Sequence, residues 1–305
     1  MNLETTIGKI KFKNPIWVAS GTFRYGEEFA DFLDLSKIGA IITKTVTLEP
    51  RKGNPPPRLV ETAAGLLNSI GLENKGAANF KTKHFNRLKN IDTKIIVNIA
   101  GTSAEEFAEC AEILAENNFP HAFELNLSCP NVQHKQSKYR LLAQDPNLTE
   151  QIVASVKKKV KQPIIVKLTP NVTDIAEIAY AAEQGGADAV SLVNTYIGMA
   201  VDVHAMKPLL GNIIGGLSGP AIKPLALRAV WEVYKKVSIP IIGIGGIMSG
   251  IDVAEFMLCG ASAVQIGTAN LLNPQAYDKI SAEFFDYLQT KKITSLDQIV
   301  GKLSD

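Results

Sequence analysis

The stretch PIIVKLTPNVTDIAEIAYAAEQGGADAVSLVNT, residues 163–195, decides the fold. It opens on one apolar run, Ile164–Leu168, and closes on another, Ala189–Val193. Short runs of this kind, rich in β-branched residues and continuous rather than alternating, suit strands covered on both faces, as in a parallel sheet. Between them Ile175, Ile178, Ala179 and Ala182 fall at i, i+3, i+4 and i+7, so Thr173–Gln184 reads as a helix with one apolar stripe, stopped by Gly185-Gly186. The segment is one strand–helix–strand unit.

The same unit recurs on either side. Apolar runs lie at Ala40–Thr45, Ile95–Ala100, Phe123–Leu127, a weaker Ile213–Leu217, Ile241–Ile244 and Ala263–Ile266. Helical patterns lie at Thr102–Asn118, Thr149–Val160, Leu225–Val237, Ile251–Leu258 and Gln275–Leu288, and Ser103 with Glu106 is spaced for a capping box. Gly39-Ala40, Gly186-Ala187 and Gly260-Ala261 each precede a strand, and Pro163-Ile164-Ile165 is echoed by Pro240-Ile241-Ile242. About eight βα units in this length predict an α/β fold, a single (β/α)8 TIM barrel with long βα loops over its C-terminal face. An open doubly wound sheet is the alternative, but no GxGxxG opens a first helix. Residues 2–18, with Ile7, Ile10 and Phe12 alternating, predict a hairpin plugging the N-terminal end. No linker-like stretch divides residues 1–305, so one domain is expected.

Composition narrows the function. With 32 Lys and Arg against 30 Asp and Glu, the formal charge of +2 gives no general pull toward nucleic acid or anionic membrane. Met1-Asn2-Leu3-Glu4 does not begin a secretory signal, and the strongest candidate for an apolar span, Leu209 to Leu227, is broken by Gly, Ser, Lys and Pro. Cys110, Cys129 and Cys259 are far apart, and His84, His121, His134 and His204 are equally scattered, which argues against a disulfide framework, a zinc site or an iron–sulfur cluster on this chain. A cytoplasmic location is expected.

Active sites of such barrels sit at the C-terminal ends of the strands. There this sequence places Lys44-Thr45, Asn98, Asn126 through Cys129, Lys167, Asn194-Thr195, Gly245-Gly246 and Gly267-Thr268. Core packing does not call for a ring of amides and lysines. GIGGI (243–247) and QIGTANL (265–271) follow the last two strands; they read either as ordinary tight turns or as a backbone cradle for phosphate. The loops from Val46 to about Asn74 and from Pro130 to about Pro146 are long enough to be lids or binding loops. Cys129 is the one cysteine on this rim, beside Asn126, Ser128 and Asn131, and reads as a reactive thiol or as a small buried hydrophobe; Cys110 and Cys259 read as core.

Motifs over nearly the whole chain carry a resemblance: ASGTFRYGEEFA (19–30), TKTVTLEPRKGNPPPR (43–58), NSIGLEN (68–74), NLSCPN (126–131), VKLTPN (166–171), VNT (193–195), GGLSGPAIKP (215–224), GIGGI and QIGT. Together they resemble the catalytic subunits of class 1B, NAD-dependent dihydroorotate dehydrogenases, flavin enzymes of pyrimidine synthesis. The cysteine in NLSCPN separates the chain from the membrane-bound class, which uses serine. The resemblance implies FMN on the barrel rim, in contact with Ser20, Lys44, Thr45, Asn98, Asn126, Lys167, Val193, Gly219, Gly245, Gly246, Gly267 and Thr268. The pyrimidine would be held by Lys44, by Asn68, Ser69, Ile70, Gly71 and Leu72, and by Asn126, Asn194 and Thr195. Amides suit a pyrimidinedione, which offers both donors and acceptors, and its carboxylate needs a cation or backbone amides. Lys167 would favour the anionic reduced flavin ring. Cys129 would be the general base, taking a proton from dihydroorotate as hydride leaves for the flavin. The resemblance further implies a partner subunit carrying FAD and a [2Fe–2S] cluster, which passes electrons to NAD, in a heterotetramer built on a dimer of this chain.

One stretch departs from the family pattern. After NLSCPN the lid reads NVQHKQSKYRLLAQDP (131–146), with bulky and basic residues where glycines are usual; His134, Lys135 and Arg140 are either solvated or guide an anionic substrate inward. The nearest rival reading is the class 1A form, a homodimer reducing fumarate. A related flavin barrel acting on dihydrouracil or on tRNA uridine fits less well, given the near-neutral charge and NSIGLEN. A flavin-free aldolase-type barrel would use Lys44 or Lys167 as a Schiff-base lysine.

Overall fold

The computed structural model describes residues 2–127 and 142–304. Eight parallel strands form a closed barrel: β1 (Ile16–Val18), β2 (Ala40–Ile42), β3 (Lys94–Ala100), β4 (Ala122–Asn126), β5 (Ile164–Lys167), β6 (Ala189–Leu192), β7 (Ile241–Ile244) and β8 (Ala263–Ile266). Each pairs with the next, and β8 closes the ring by pairing with β1 in the register Val264↔Ile16, Gln265↔Trp17 and Ile266↔Val18. The opening segment folds as read: Asp174 caps a helix over Ile175–Gln184 by accepting from the amides of Ala176 and Glu177.

Side chains alternate across a strand, so every second residue enters the barrel. The lowest interior tier is apolar and draws on all eight strands: Trp17, Ala40, Ile42, Ile96, Ala122, Ile165, Ala189, Ile242 and Ala263. The hairpin Thr5–Ile7/Ile10–Phe12 stoppers it with Ile7 and Phe12, whose ring lies 4.4 Å from that of Trp17. Each such side chain contributes about 1.5–3 kcal/mol by leaving water. A second, larger core fills the space between strands and helices, where Phe107, Cys110, Ala111 and Leu114 form the buried stripe of Ala104–Leu114.

Three expectations need correction. The run Ile213–Leu217 is not a barrel strand. As Ile214–Ser218 it joins an antiparallel sheet with Tyr196–Met199, Gly65–Asn68 and Leu59–Thr62, which is built from the loops after β6 and β2. Its two glycines permit this close pairing, since a Cβ on Gly215 would meet the carbonyl oxygen of Asn68 at 2.6 Å. The missing barrel strand is Ile16–Val18, so the plug is shorter than residues 2–18; three residues carry too little pattern to stand apart from the hairpin before them. A helix over Ala77–Lys89 was not anticipated, because its buried Phe80, Phe85 and Leu88 are diluted by a basic, polar exposed face. The Ser103 box is half formed: the Ser103 hydroxyl accepts from the Glu106 amide, but the Glu106 carboxylate turns to the amide and hydroxyl of Thr102. None of the helices in the described residues is long and apolar enough to cross a membrane.

Candidate active site

One step above the apolar floor the interior becomes polar. Asn98, Glu124, Lys167, Ser191 and Gln265 follow Ile96, Ala122, Ile165, Ala189 and Ala263 by two residues each, and all are at most 5% exposed. Asn98 Nδ2 donates to Glu124 Oε1 at 2.6 Å, Ser191 Oγ to Oε2 at 2.9 Å and Gln265 Nε2 to Oε2 at 2.7 Å. Lys167 Nζ lies 3.9 Å from Glu124 Oε1. Of these five, the sequence reading anticipated Asn98 and Lys167. It missed Glu124, although a lone carboxylate in an apolar strand, two residues before Asn126, was a usable signal.

The next step up is the rim, where three strand-end loops and β4 converge. Ser20 Oγ and Thr45 Oγ1 are 3.4 Å apart, Asn126 Nδ2 reaches Thr45 Oγ1 at 3.5 Å, and Asn194 Nδ2 reaches Asn126 Oδ1 at 3.4 Å. Asn194 Oδ1 also accepts from the backbone amide of Thr195 at 2.8 Å. Asn171, not singled out from sequence, supports this corner by donating to the Thr195 carbonyl at 3.1 Å.

The expected glycine turns form a second cluster. A Cβ on Gly246 would lie 2.9 Å from the Gly219 carbonyl oxygen, one on Gly219 would lie 3.4 Å from Thr268 Cγ2, and one on Gly245 would lie 3.5 Å from Val193 Cγ2. Gly219, Gly245 and Gly246 all take positive φ, so both conformation and space demand glycine there. Gly267 differs: a Cβ there would meet only Ala19, at 3.7 Å. Among the described residues, no hydrogen bond is made by the backbone amides of Gly246, Gly267 and Thr268. Thr268 Oγ1 donates to Ser218 Oγ at 2.8 Å, joining this cluster to the covering sheet.

Asn68 to Leu72 reach the rim through that sheet. Asn68 Nδ2 donates to the Gly216 carbonyl at 3.2 Å, and a Cβ on Gly216 would coincide with the Thr195 hydroxyl, so Asn68 and Thr195 flank one glycine. The Ser69 side chain is fully buried and its hydroxyl accepts from Asn54 Nδ2 at 3.0 Å. Asn54 N donates to the Ile70 carbonyl, and Gly71 and Leu72 take positive φ to complete the turn. Asn74 pins its end with bonds to Thr47, Leu72 and Gly76.

Lys44 is half-buried and borders a cavity of ≈ 320 Å³ with Arg24, Glu28, Glu73, Asn79 and His84. Burial pushes its ammonium below the usual lysine value; Glu73 opposes the shift, and Arg24 and Arg58 add to it. Burial raises the thiol of Cys110, a core residue, to about 12, and also raises that of Cys259, which is only partly buried against the core rather than within it as expected. Cys129 lies outside the described residues, as do His134, Lys135 and Arg140 of the lid.

A model of the dihydroorotate dehydrogenase family matches residues 2–288. The catalytic subunit of dihydroorotate dehydrogenase B (NAD(+)) from Bacteroides fragilis is 49% identical over 302 residues, covering 99% of each chain. The corresponding subunits of Geobacter metallireducens and Desulforamulus reducens are each 50% identical, over 99% of this chain and 98% of theirs. With its barrel, its polar rim and these full-length matches, the chain belongs to the dihydroorotate dehydrogenase family.

Proposed function

We propose that this chain oxidises (S)-dihydroorotate to orotate in the synthesis of UMP, using FMN on the barrel rim and Cys129 as general base. Electrons then leave for NAD through a partner iron–sulfur flavoprotein. The observation that carries the reading is the convergence of Thr45, Asn126 and Asn194 above the buried Lys167.

The residues present fit FMN. The amides of Gly246, Gly267 and Thr268, unpartnered among the described residues, suit a phosphate. Asn98 Oδ1, buried without a partner, is an acceptor in search of a donor. When bound, FMN supplies the hydride acceptor. Lys167 brings a fixed cation beneath the site, where negative charge develops. Asn126, Asn194 and Thr195 offer donors and acceptors to a pyrimidinedione, and Lys44 offers a cation to its carboxylate. Cys129 takes the proton from the ring carbon adjacent to the one that loses hydride.

Association with other chains has its own support. Ile197, Met199, Val201, Val203, Met206, Leu209 and Ile213 expose large apolar side chains along the excursion after β6, Met206 to 86%. So many exposed apolar side chains on one segment would gain from burial against another chain.

The test is the visible spectrum of the purified protein, followed by dihydroorotate without oxygen. Flavin bands near ~450 nm that bleach are expected, flavin being the hydride acceptor. Flavin that stays oxidised moves the reading to another reduced pyrimidine. Protein that takes up no FMN on reconstitution removes the reading altogether. Fumarate reduction by the chain alone would replace the NAD-linked form with the homodimeric one.

A further inference from the structure

The polar interior tier asks for an explanation that packing does not supply. The tier below is filled with Ile, Ala and Trp, and barrels ordinarily fill such layers with branched apolar side chains. Here a fully buried carboxylate, Glu124, occupies the centre instead. Its two oxygens accept hydrogen bonds from Asn98 on β3, Ser191 on β6 and Gln265 on β8, and the Lys167 ammonium on β5 lies 3.9 Å from one of them. An ionised carboxylate only accepts, so both amides must turn their nitrogens toward it. Their carbonyl oxygens bear the consequence, since Asn98 Oδ1 and Gln265 Oε1 are buried with no partner. Glu124 therefore decides which end of Asn98 points away from the carboxylate, and it holds the Lys167 ammonium within ion-pair distance.

We propose that Glu124 is a positioning residue for the cofactor site: its carboxylate sets the amide orientation of Asn98 and anchors the ammonium of Lys167. The inference rests on the flavin reading above and extends it to a residue one step beneath the contacts. Ser191 and Gln265 act through Glu124 by fixing its second oxygen. Removing the carboxylate leaves Asn98 free to turn over and Lys167 without its counter-charge, so both contacts change together.

The test compares the full-length protein with Glu124→Gln, which preserves shape and removes charge. Folding is followed by circular dichroism and cooperative melting; FMN affinity is followed by quenching of free FMN fluorescence, and the midpoint potential of the bound flavin is measured. The folded variant is expected to bind FMN about tenfold or more weakly, the scale of a hydrogen bond to a charged group. Its flavin potential is displaced, and in a Lys167→Met background that displacement shrinks, since the part transmitted through Lys167 is gone and only the part through Asn98 remains. Wild-type affinity and potential in folded Glu124→Gln overturn the inference, as does an equal displacement in both backgrounds. Should Glu124→Gln not fold, Ser191→Ala withdraws one donor and leaves the carboxylate; weaker FMN binding is expected, and unchanged binding overturns the inference. Wild-type protein that takes up no FMN overturns the flavin reading and this inference with it. Wild-type protein that binds FMN while every variant matches it overturns this inference alone.

Discussion

Arg58 Nη1 lies 2.6 Å from Glu73 Oε2, closing GNPPPR (53–58) onto NSIGLEN (68–74). The same guanidinium bonds the carbonyls of Lys52 and Asn54, and the Arg58 carbonyl accepts from Ser69 N at 2.8 Å. One residue thus holds the shape of the segment proposed to bind the pyrimidine.

Arg58→Met should loosen that segment without touching the barrel. A rise of about three- to tenfold in KM for dihydroorotate is expected, with kcat nearly unchanged and FMN retained, because an orienting contact common to bound and activated substrate is lost. Steady-state kinetics check it; an equal fall in kcat at constant KM would place Arg58 in the chemistry instead.

The proposed base gives a sharper prediction. Cys129→Ala should keep FMN and lose most of the reductive half-reaction, measured by anaerobic stopped flow at the flavin band. Cys129→Ser should retain some activity, more of it at higher pH. A free thiol titrates near ~8.5, so wild-type turnover should climb from neutral pH toward that value. Reduction of Cys129→Ala at the wild-type rate would remove it from the mechanism.

Lys44 should set the opposite limb. Burial lowers its pKa below the lysine value of 10.5. Its charge, and with it the attraction for a substrate carboxylate, is lost as pH rises through that lowered value. The kcat/KM profile should therefore fall on the alkaline side before pH 10.5, and Lys44→Met should lower the plateau and abolish the fall. For stability the sign is reversed. The unfolded chain holds this proton more tightly, so Lys44 favours the folded state more as pH rises from its folded pKa to 10.5.

Tyr277 offers a check on the frame. Burial raises its hydroxyl to about 12, and it donates to the Lys37 carbonyl at 2.9 Å. The unfolded chain ionises near 10. Stability is fully present below that pH and is lost as pH rises toward 12, by roughly 2–3 kcal/mol for a shift of this size. Urea titrations at increasing alkalinity should show this loss in the wild type and much less of it in Tyr277→Phe, which costs about 1 kcal/mol at neutral pH for the missing bond.

The barrel is legible in the sequence because its evidence is local. Ile164–Leu168 and Ala189–Val193 declare strands as short continuous apolar runs, and Thr173–Gln184 declares a helix through a period of 3.6; none of these signals needs a distant partner. The rim was legible for the same reason: Lys44, Asn98, Asn126, Lys167 and Asn194 stand at or near the ends of readable strands. Tertiary structure alone decided the rest. Ile16–Val18 is too short to announce itself and becomes a strand through its pairing with Ile266 and Ile41. Ile214–Ser218 looks like a barrel strand and is diverted to Gly65–Asn68, more than a hundred residues earlier. Glu124 shows the limit most plainly. Its partners, three hydrogen-bond donors and the Lys167 ammonium 3.9 Å away, lie on four other strands and meet it only when the sheet closes.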